Sequence, residues 1–227
     1  MKQEPIVRVL FFGDSICFGQ GVSLHKGWVP RISANLQQLG AKHQGEVLVV
    51  NASANGSTTR QALERMPYEV QSAPPDVLIV QFGMNDCNCW ETDHGNPRVS
   101  PQAFAANLDE IITRAFTFGV RTVVLNTNHP TGRDGAVMPH SNATYEQNNR
   151  RYNGIIREVA SSRDDRVVLC DIEKHILEFA PQREGYLRFL LPDLLHLSVG
   201  GHDLYLGIVY PIVERTVAEL LIAQRRG

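Results

Sequence analysis

The sequence predicts an α/β fold built on a five-stranded parallel sheet, and three observations carry that reading. Short β-branched, apolar runs recur between longer segments with helical spacing, which is the pattern of repeated β-α-β units. Each run is nearly all apolar instead of alternating, as strands are when helices cover both faces of a sheet. At 227 residues, 43% of them hydrophobic, the chain also has enough apolar material for one sizeable core.

The strands fall at residues 6–12, 47–51, 76–81, 121–126 and 167–171. Between them, residues 28–39 read as a helix closed by Gly40, and residues 59–66 as a short helix stopped by Pro67. Residues 101–118 give the clearest helix: Ser100 is the N-cap, Pro101 takes the first helical position and Gly119 follows the last turn. Residues 145–161 form another, and a final helix over residues 201–224 is expected to kink at Pro211. Residues 1–227 therefore read as a single domain. Two connections, 87–99 and 128–144, exceed the roughly 2 to 6 residues that such units usually need. Both follow the C-terminal ends of strands, the edge at which open α/β sheets bind ligands.

Composition excludes several classes of function. Lys and Arg number 22 against 24 Asp and Glu, a net charge of -2 with no basic stripe, so no nucleic-acid partner is expected. No run approaches the roughly 18 consecutive apolar residues of a membrane span, so no stable membrane insertion is expected. The segment before residue 13 is too short and too interrupted for a signal-peptide core. The four cysteines, Cys17, Cys87, Cys89 and Cys170, are too irregularly spaced for a disulfide framework. Reduced thiols in a cytoplasmic protein follow. Neither Gly-x-Gly-x-x-Gly nor a P-loop motif is present, so no nucleotide or flavin cofactor is expected. Cys87, Cys89 and His94 are of zinc-ligand type, but a fourth ligand is missing and Cys-x-Cys is not the usual structural spacing, so no metal is expected. The sequence carries no signal for an oligomeric state.

Four segments carry chemistry. Gly13-Asp14-Ser15 directly follows the first strand, and its sharp turn presents Ser15 at the sheet edge. After the second strand comes a run of small and polar residues in which Gly56 can bring its backbone N–H close to a ligand. After the third, Asn85 in Gly83-Met84-Asn85-Asp86 offers an amide N–H to an oxygen that becomes negative during reaction, while Asp86 fixes the turn. Finally, Asp193 and His196 are three residues apart, a spacing that lets the carboxylate hold one imidazole nitrogen and aim the other at a nucleophile. Serine needs such a base, because its hydroxyl is a poor nucleophile until the proton is taken. Taken singly, each segment is also an ordinary turn, loop or cap. Their joint occurrence at successive strand ends points to catalysis.

On these residues the chain resembles the SGNH hydrolases, also called GDSL lipases or esterases: Ser15, Gly56, Asn85 and His196 match the four family letters in order, and Asp193 matches the acid of the last block. Ile16 replaces the Leu of GDSL, and Leu197 stands where many members have Pro. The resemblance implies a flavodoxin-like three-layer α/β/α sandwich. It also implies acyl transfer to Ser15, with His196 as base, Asp193 orienting it, and an oxyanion hole made by the backbone N–H groups of Ser15 and Gly56 with the Asn85 amide. A small-molecule ester is the expected partner, with acetyl esters of polar or carbohydrate-like molecules favoured by the polar loops. A lysophospholipase or thioesterase is the alternative within the enzymes, and a ligand-binding module on the same fold is the alternative outside them. In the loop after strand four, His129 is a second histidine near the pocket, and Arg133 and His140 are candidates for an anionic or hydroxyl-rich substrate, or for plain solvation.

Overall fold

The computed structural model describes residues 4–226. Its strands are β1 (Ile6–Gly13), β2 (Glu46–Asn51), β3 (Val77–Gln81), β4 (Thr122–Asn126) and β5 (Val167–Cys170). All neighbours pair in parallel, in the order β2-β1-β3-β4-β5. That is the flavodoxin-like order, and its topological switch point lies between β1 and β3.

Helices cover both faces. On one side α2 (Trp28–Lys42) packs against α8 (Val199–Arg226), which also meets α6 (Ile172–Phe179); on the other, α3 (Thr59–Met66), α4 (Pro101–Thr117) and α5 (Tyr145–Ser161) pack in a row. The central β3 is consequently buried along its whole length. The edge strand β2 departs from the expectation of full coverage: Val47 is buried, but Leu48 and Val50, which point to the opposite face from Val47, are 39% and 52% exposed, because α2 is the helix that packs on this strand and it covers one face.

Capping fixes most helix starts as the sequence implies. Ser100 Oγ accepts from Ala103 N, and Thr58 and Thr144 each form a full capping box with a Gln three residues on. Three α-helices lie outside the sequence reading: α1 (Ser15–Phe18), α6, and α7 (Arg183–Leu187). Gly40 does not close α2, which continues to Lys42; the left-handed residue is Gln44, at φ 51°. A Cβ on Gly40 would stand 3.0 Å from the Gly45 carbonyl oxygen, so this glycine serves the close approach of helix to strand. Helix α3 ends at Met66 as expected, but the chain then makes a π-helical turn at Pro67–Gln71. The final helix starts earlier than expected, at Val199, where Ser198 Oγ accepts from Gly201 N, and it runs on through Pro211. No helix among the described residues is long and apolar enough to cross a membrane.

Candidate active site

The turn after β1 is built around a missing side chain. A Cβ on Gly13 would lie 2.6 Å from Cys17 Cβ and 2.9 Å from the Gln81 carbonyl oxygen, so only hydrogen fits and the chain can fold tightly back over the end of β3. Asp14 N donates to that same Gln81 oxygen. Asp14 then caps α1, its Oδ1 accepting from Ile16 N at 3.0 Å, which sets Ser15 at the first helical position. The Trp28 indole N–H donates to the Ile16 carbonyl at 2.9 Å and ties the elbow to α2. Burial raises the Asp14 carboxyl to about 7; the Ile16 hydrogen bond opposes this, and the neighbouring Asp86 adds to it.

Beside the elbow lie the two other predicted donors. Gly56 adopts φ +73°, and nothing stands within 4 Å of where its Cβ would be, so open space faces this residue. Neither the Ser15 nor the Gly56 N–H donates to a protein acceptor among the described residues. The Asn85 amide Nδ2 is engaged, donating to the Ser57 carbonyl at 3.2 Å and to Asp14 Oδ2 at 3.3 Å. Both are long bonds, at the weak end of the range. Asp86 reaches away from the elbow to fix the start of α3: its Oδ1 accepts from Thr59 N at 2.9 Å and Thr59 Oγ1 at 2.5 Å. Burial raises this carboxyl to about 6, opposed by those two bonds.

The fourth segment arrives from the far end of the chain. His196 Nε2 lies 3.0 Å from Ser15 Oγ, and Nδ1 lies 2.5 Å from Asp193 Oδ2. A carboxylate can only accept, so Nδ1 carries the proton and Nε2 is left with its lone pair toward the serine hydroxyl. The other carboxylate oxygen, Oδ1, accepts from the Leu195 and His196 N–H groups at 3.0 Å each. Burial raises the Asp193 pKa, but the bonds from His196 and the two N–H groups outweigh it and hold the carboxyl below its ordinary value. This tight turn requires Leu194 in the left-handed region at φ 61°, a conformation that costs a non-glycine residue about 1 kcal/mol or more.

What holds the turn is the loop after β4. Three consecutive carbonyls, those of Asp193, Leu194 and Leu195, accept from Arg133 Nε at 3.1 Å, Gly132 N at 2.9 Å and His129 Nε2 at 2.8 Å. Because the Leu195 oxygen can only accept, His129 carries its proton on Nε2, and its Nδ1 accepts a hydrogen bond from the Tyr205 hydroxyl at 2.6 Å. Burial drives the His129 pKa down to about 4, only partly offset by the Leu195 bond. This histidine is therefore neutral, fully hydrogen-bonded and turned away from base duty: it props the acid–base turn. Sequence reasoning noted His129 and Arg133 but had no signal for these roles, which depend on contacts across 66 and 60 residues. Tyr205, inside the last helix, was not singled out at all.

Cys87 and Cys89 turn their thiols to the Met84 and Gly95 carbonyls, and His94 lies against His140 with ring centres 5.1 Å apart and planes tilted by 36°. His140 itself bonds Glu91 at 2.7 Å. Among the described residues no group of three His, Cys, Asp or Glu side chains is arranged to hold a metal ion. Cys17 is buried, and its thiol is pushed well up by that burial.

A parallel sheet in flavodoxin-like order, with a serine, a correctly tautomeric histidine and a carboxylate meeting at its switch point, has the parts of a hydrolase that works through a serine nucleophile. The family model of the GDSL-like lipases and acylhydrolases matches residues 11–204, and the chain belongs to that family of carboxylic ester hydrolases. Among curated proteins, it is 28% identical to the uncharacterized lipoprotein YqeF of Bacillus subtilis (strain 168), over 74% of this chain and 73% of that one. It is 26% identical to the arylesterase of Vibrio mimicus, over 54% of this chain and 56% of the relative. The crystal structure of the acetyl xylan esterase AlAXEase superposes with a TM-score of 0.72 at 22% identity, covering 91% of this chain and all of that one, and shows the same fold.

Proposed function

We propose that the chain acts, as one domain, as a serine esterase on short acyl esters, with acetyl esters of polar or carbohydrate-like molecules the preferred class. The observation that carries the proposal is the 3.0 Å approach of His196 Nε2 to Ser15 Oγ. In this reading the Ser15 hydroxyl passes its proton to Nε2 as its oxygen bonds the ester carbonyl carbon, and Asp193 stabilises the imidazolium that forms. The carbonyl oxygen, now negative, is taken up by the free Ser15 and Gly56 N–H groups and by Asn85, whose two weak bonds are readily exchanged for one to an anion. His196 then protonates the departing alcohol, and water repeats the sequence on the acyl-serine to release the acid.

The acetyl preference draws on the acetyl xylan esterase that shares the fold and on the polar loops around the site. A cytoplasmic location is supported by four buried cysteines, all free. The test is labelling with a fluorophosphonate probe alongside hydrolysis of p-nitrophenyl acetate. Both activities are expected in the natural sequence and neither in Ser15→Ala. Across a series of acyl lengths, turnover falling from acetyl upward supports the acetyl reading, and turnover rising with length transfers the assignment to a lysophospholipase or thioesterase. Absence of labelling at neutral pH would leave a ligand-binding module instead.

A further inference from the structure

A cavity of about 460 Å³ opens beside the acid–base turn, walled by Asn88, Met138, Tyr145 and Leu194, with Arg133 and Arg183 at its polar side. The two arginines differ in how they are neutralised. Arg183 is spent on the protein: its guanidinium pairs with both oxygens of Asp134 at 2.9 Å and reaches the Gly132 carbonyl at 3.0 Å. Arg133 is not. Its Nε donates to the Asp193 carbonyl, its guanidinium lies 5.4 Å from the centre of the Tyr145 ring, and no carboxylate among the described residues pairs with it. The two terminal nitrogens keep their hydrogens without a protein acceptor in a cavity whose other walls are largely apolar.

Resting on the esterase reading above, we infer that Arg133 binds an anionic group of the substrate, so that the preferred ester carries a carboxylate a short distance from the bond that is cut. A guanidinium is always charged and presents paired donors in one plane, which matches a carboxylate two-on-two. Fixed by Nε and by the Tyr145 face, this one is already oriented, so little freedom is lost when the anion arrives. Apolar walls suit a short hydrocarbon or ring between the two ends. The carboxylate can belong to the acyl side, as in a half-ester of a dicarboxylic acid, or to the alcohol side, as in an acetylated hydroxy acid or acidic sugar. Because the same side chain touches the Asp193 carbonyl, anion binding also bears directly on the turn that holds His196.

Two substrate pairs separate the sources: 4-nitrophenyl hydrogen adipate against its methyl ester, and 3-acetoxybenzoate against 3-acetoxybenzamide. In one pair at least, kcat/KM is expected to favour the charged member about tenfold or more, the scale of a hydrogen bond to a charged group. That ratio should fall toward one in Arg133→Gln, be partly kept in Arg133→Lys, and shrink with added salt. Loss of the Asp193 contact alone would lower both members of a pair together and leave the ratio where it was. A ratio near one in both pairs for the natural sequence, or a preference that survives in Arg133→Gln, overturns the inference while leaving the esterase intact. If no ester is turned over, including the neutral ones, the esterase reading fails instead. Calorimetry with adipate and 3-hydroxybenzoate then reads the cavity by itself: binding lost in Arg133→Gln supports the anion site, and no binding by the natural sequence refutes it.

Discussion

Replacing Asp193 by Asn isolates the tautomer argument from the rest of the site. The carboxylate makes three hydrogen bonds, two from backbone N–H groups to Oδ1 and one from His196 Nδ1 to Oδ2. An Asn side chain keeps a single carbonyl oxygen, which can retain both backbone bonds and so preserve the turn. The amide NH2 then faces Nδ1 and can only donate to it, which moves the imidazole proton to Nε2. That proton points at Ser15 Oγ and occupies the lone pair that should accept the serine proton. Measured for the same swap in another Ser-His-Asp triad, the loss is about 10⁴ in turnover, equivalent to roughly 5 kcal/mol of transition-state stabilisation. We expect kcat for p-nitrophenyl acetate to drop by about that factor in Asp193→Asn, with fluorophosphonate labelling slowed in parallel and the melting temperature close to that of the natural sequence. Turnover within about tenfold of the natural protein would show that the Asp193–His196 bond does not set the tautomer and would refute the reasoning.

Two further outcomes concern the polar groups around Ser15, half-buried Asn85 and buried Asp14. Asn85→Ala removes the proposed third oxyanion donor and should lower kcat by about a hundredfold or more, while near-normal turnover would take Asn85 out of that role. Asp14→Asn tests the buried carboxyl: it ionises near 3.8 in the unfolded chain but only at about 7 in the folded one, so the native state holds an extra proton between those values and stability from this group falls as pH rises through that window. The Asn variant keeps an oxygen for Ile16 N and cannot ionise. Its melting temperature relative to the natural protein should therefore improve from pH 5 to pH 8, and a constant gap would contradict the shifted ionisation.

The strands were legible because burial on both faces leaves a one-letter signature of β-branched runs, and the helices because their caps are local chemistry. What escaped was non-local or brief. Gly40 looked like a terminator, yet its role is steric, against a strand reached only after Gln44 has made the left-handed turn. Helix α6 was missed although Asp171 caps it through Lys174 N, because it begins directly where β5 stops and leaves no connecting loop to mark it. At the site, Ser15, Gly56, Asn85, Asp193 and His196 were singled out by residue type and order. The props beneath them were not, since nothing about His129, Gly132 and Arg133 in sequence says that three successive carbonyls sixty positions away will rest on them. The engagement of the Asn85 amide by Asp14 and Ser57 was equally invisible, being a matter of which acceptor lies nearest.

The separation of 181 positions between Ser15 and His196 has a consequence for biosynthesis. Every strand of the sheet ends by Cys170, so the sequence of all five has been synthesised before the His196 imidazole is added. Until that last stretch is delivered and docked, Ser15 has no imidazole beside it, so the growing chain carries no assembled site before its synthesis is nearly done.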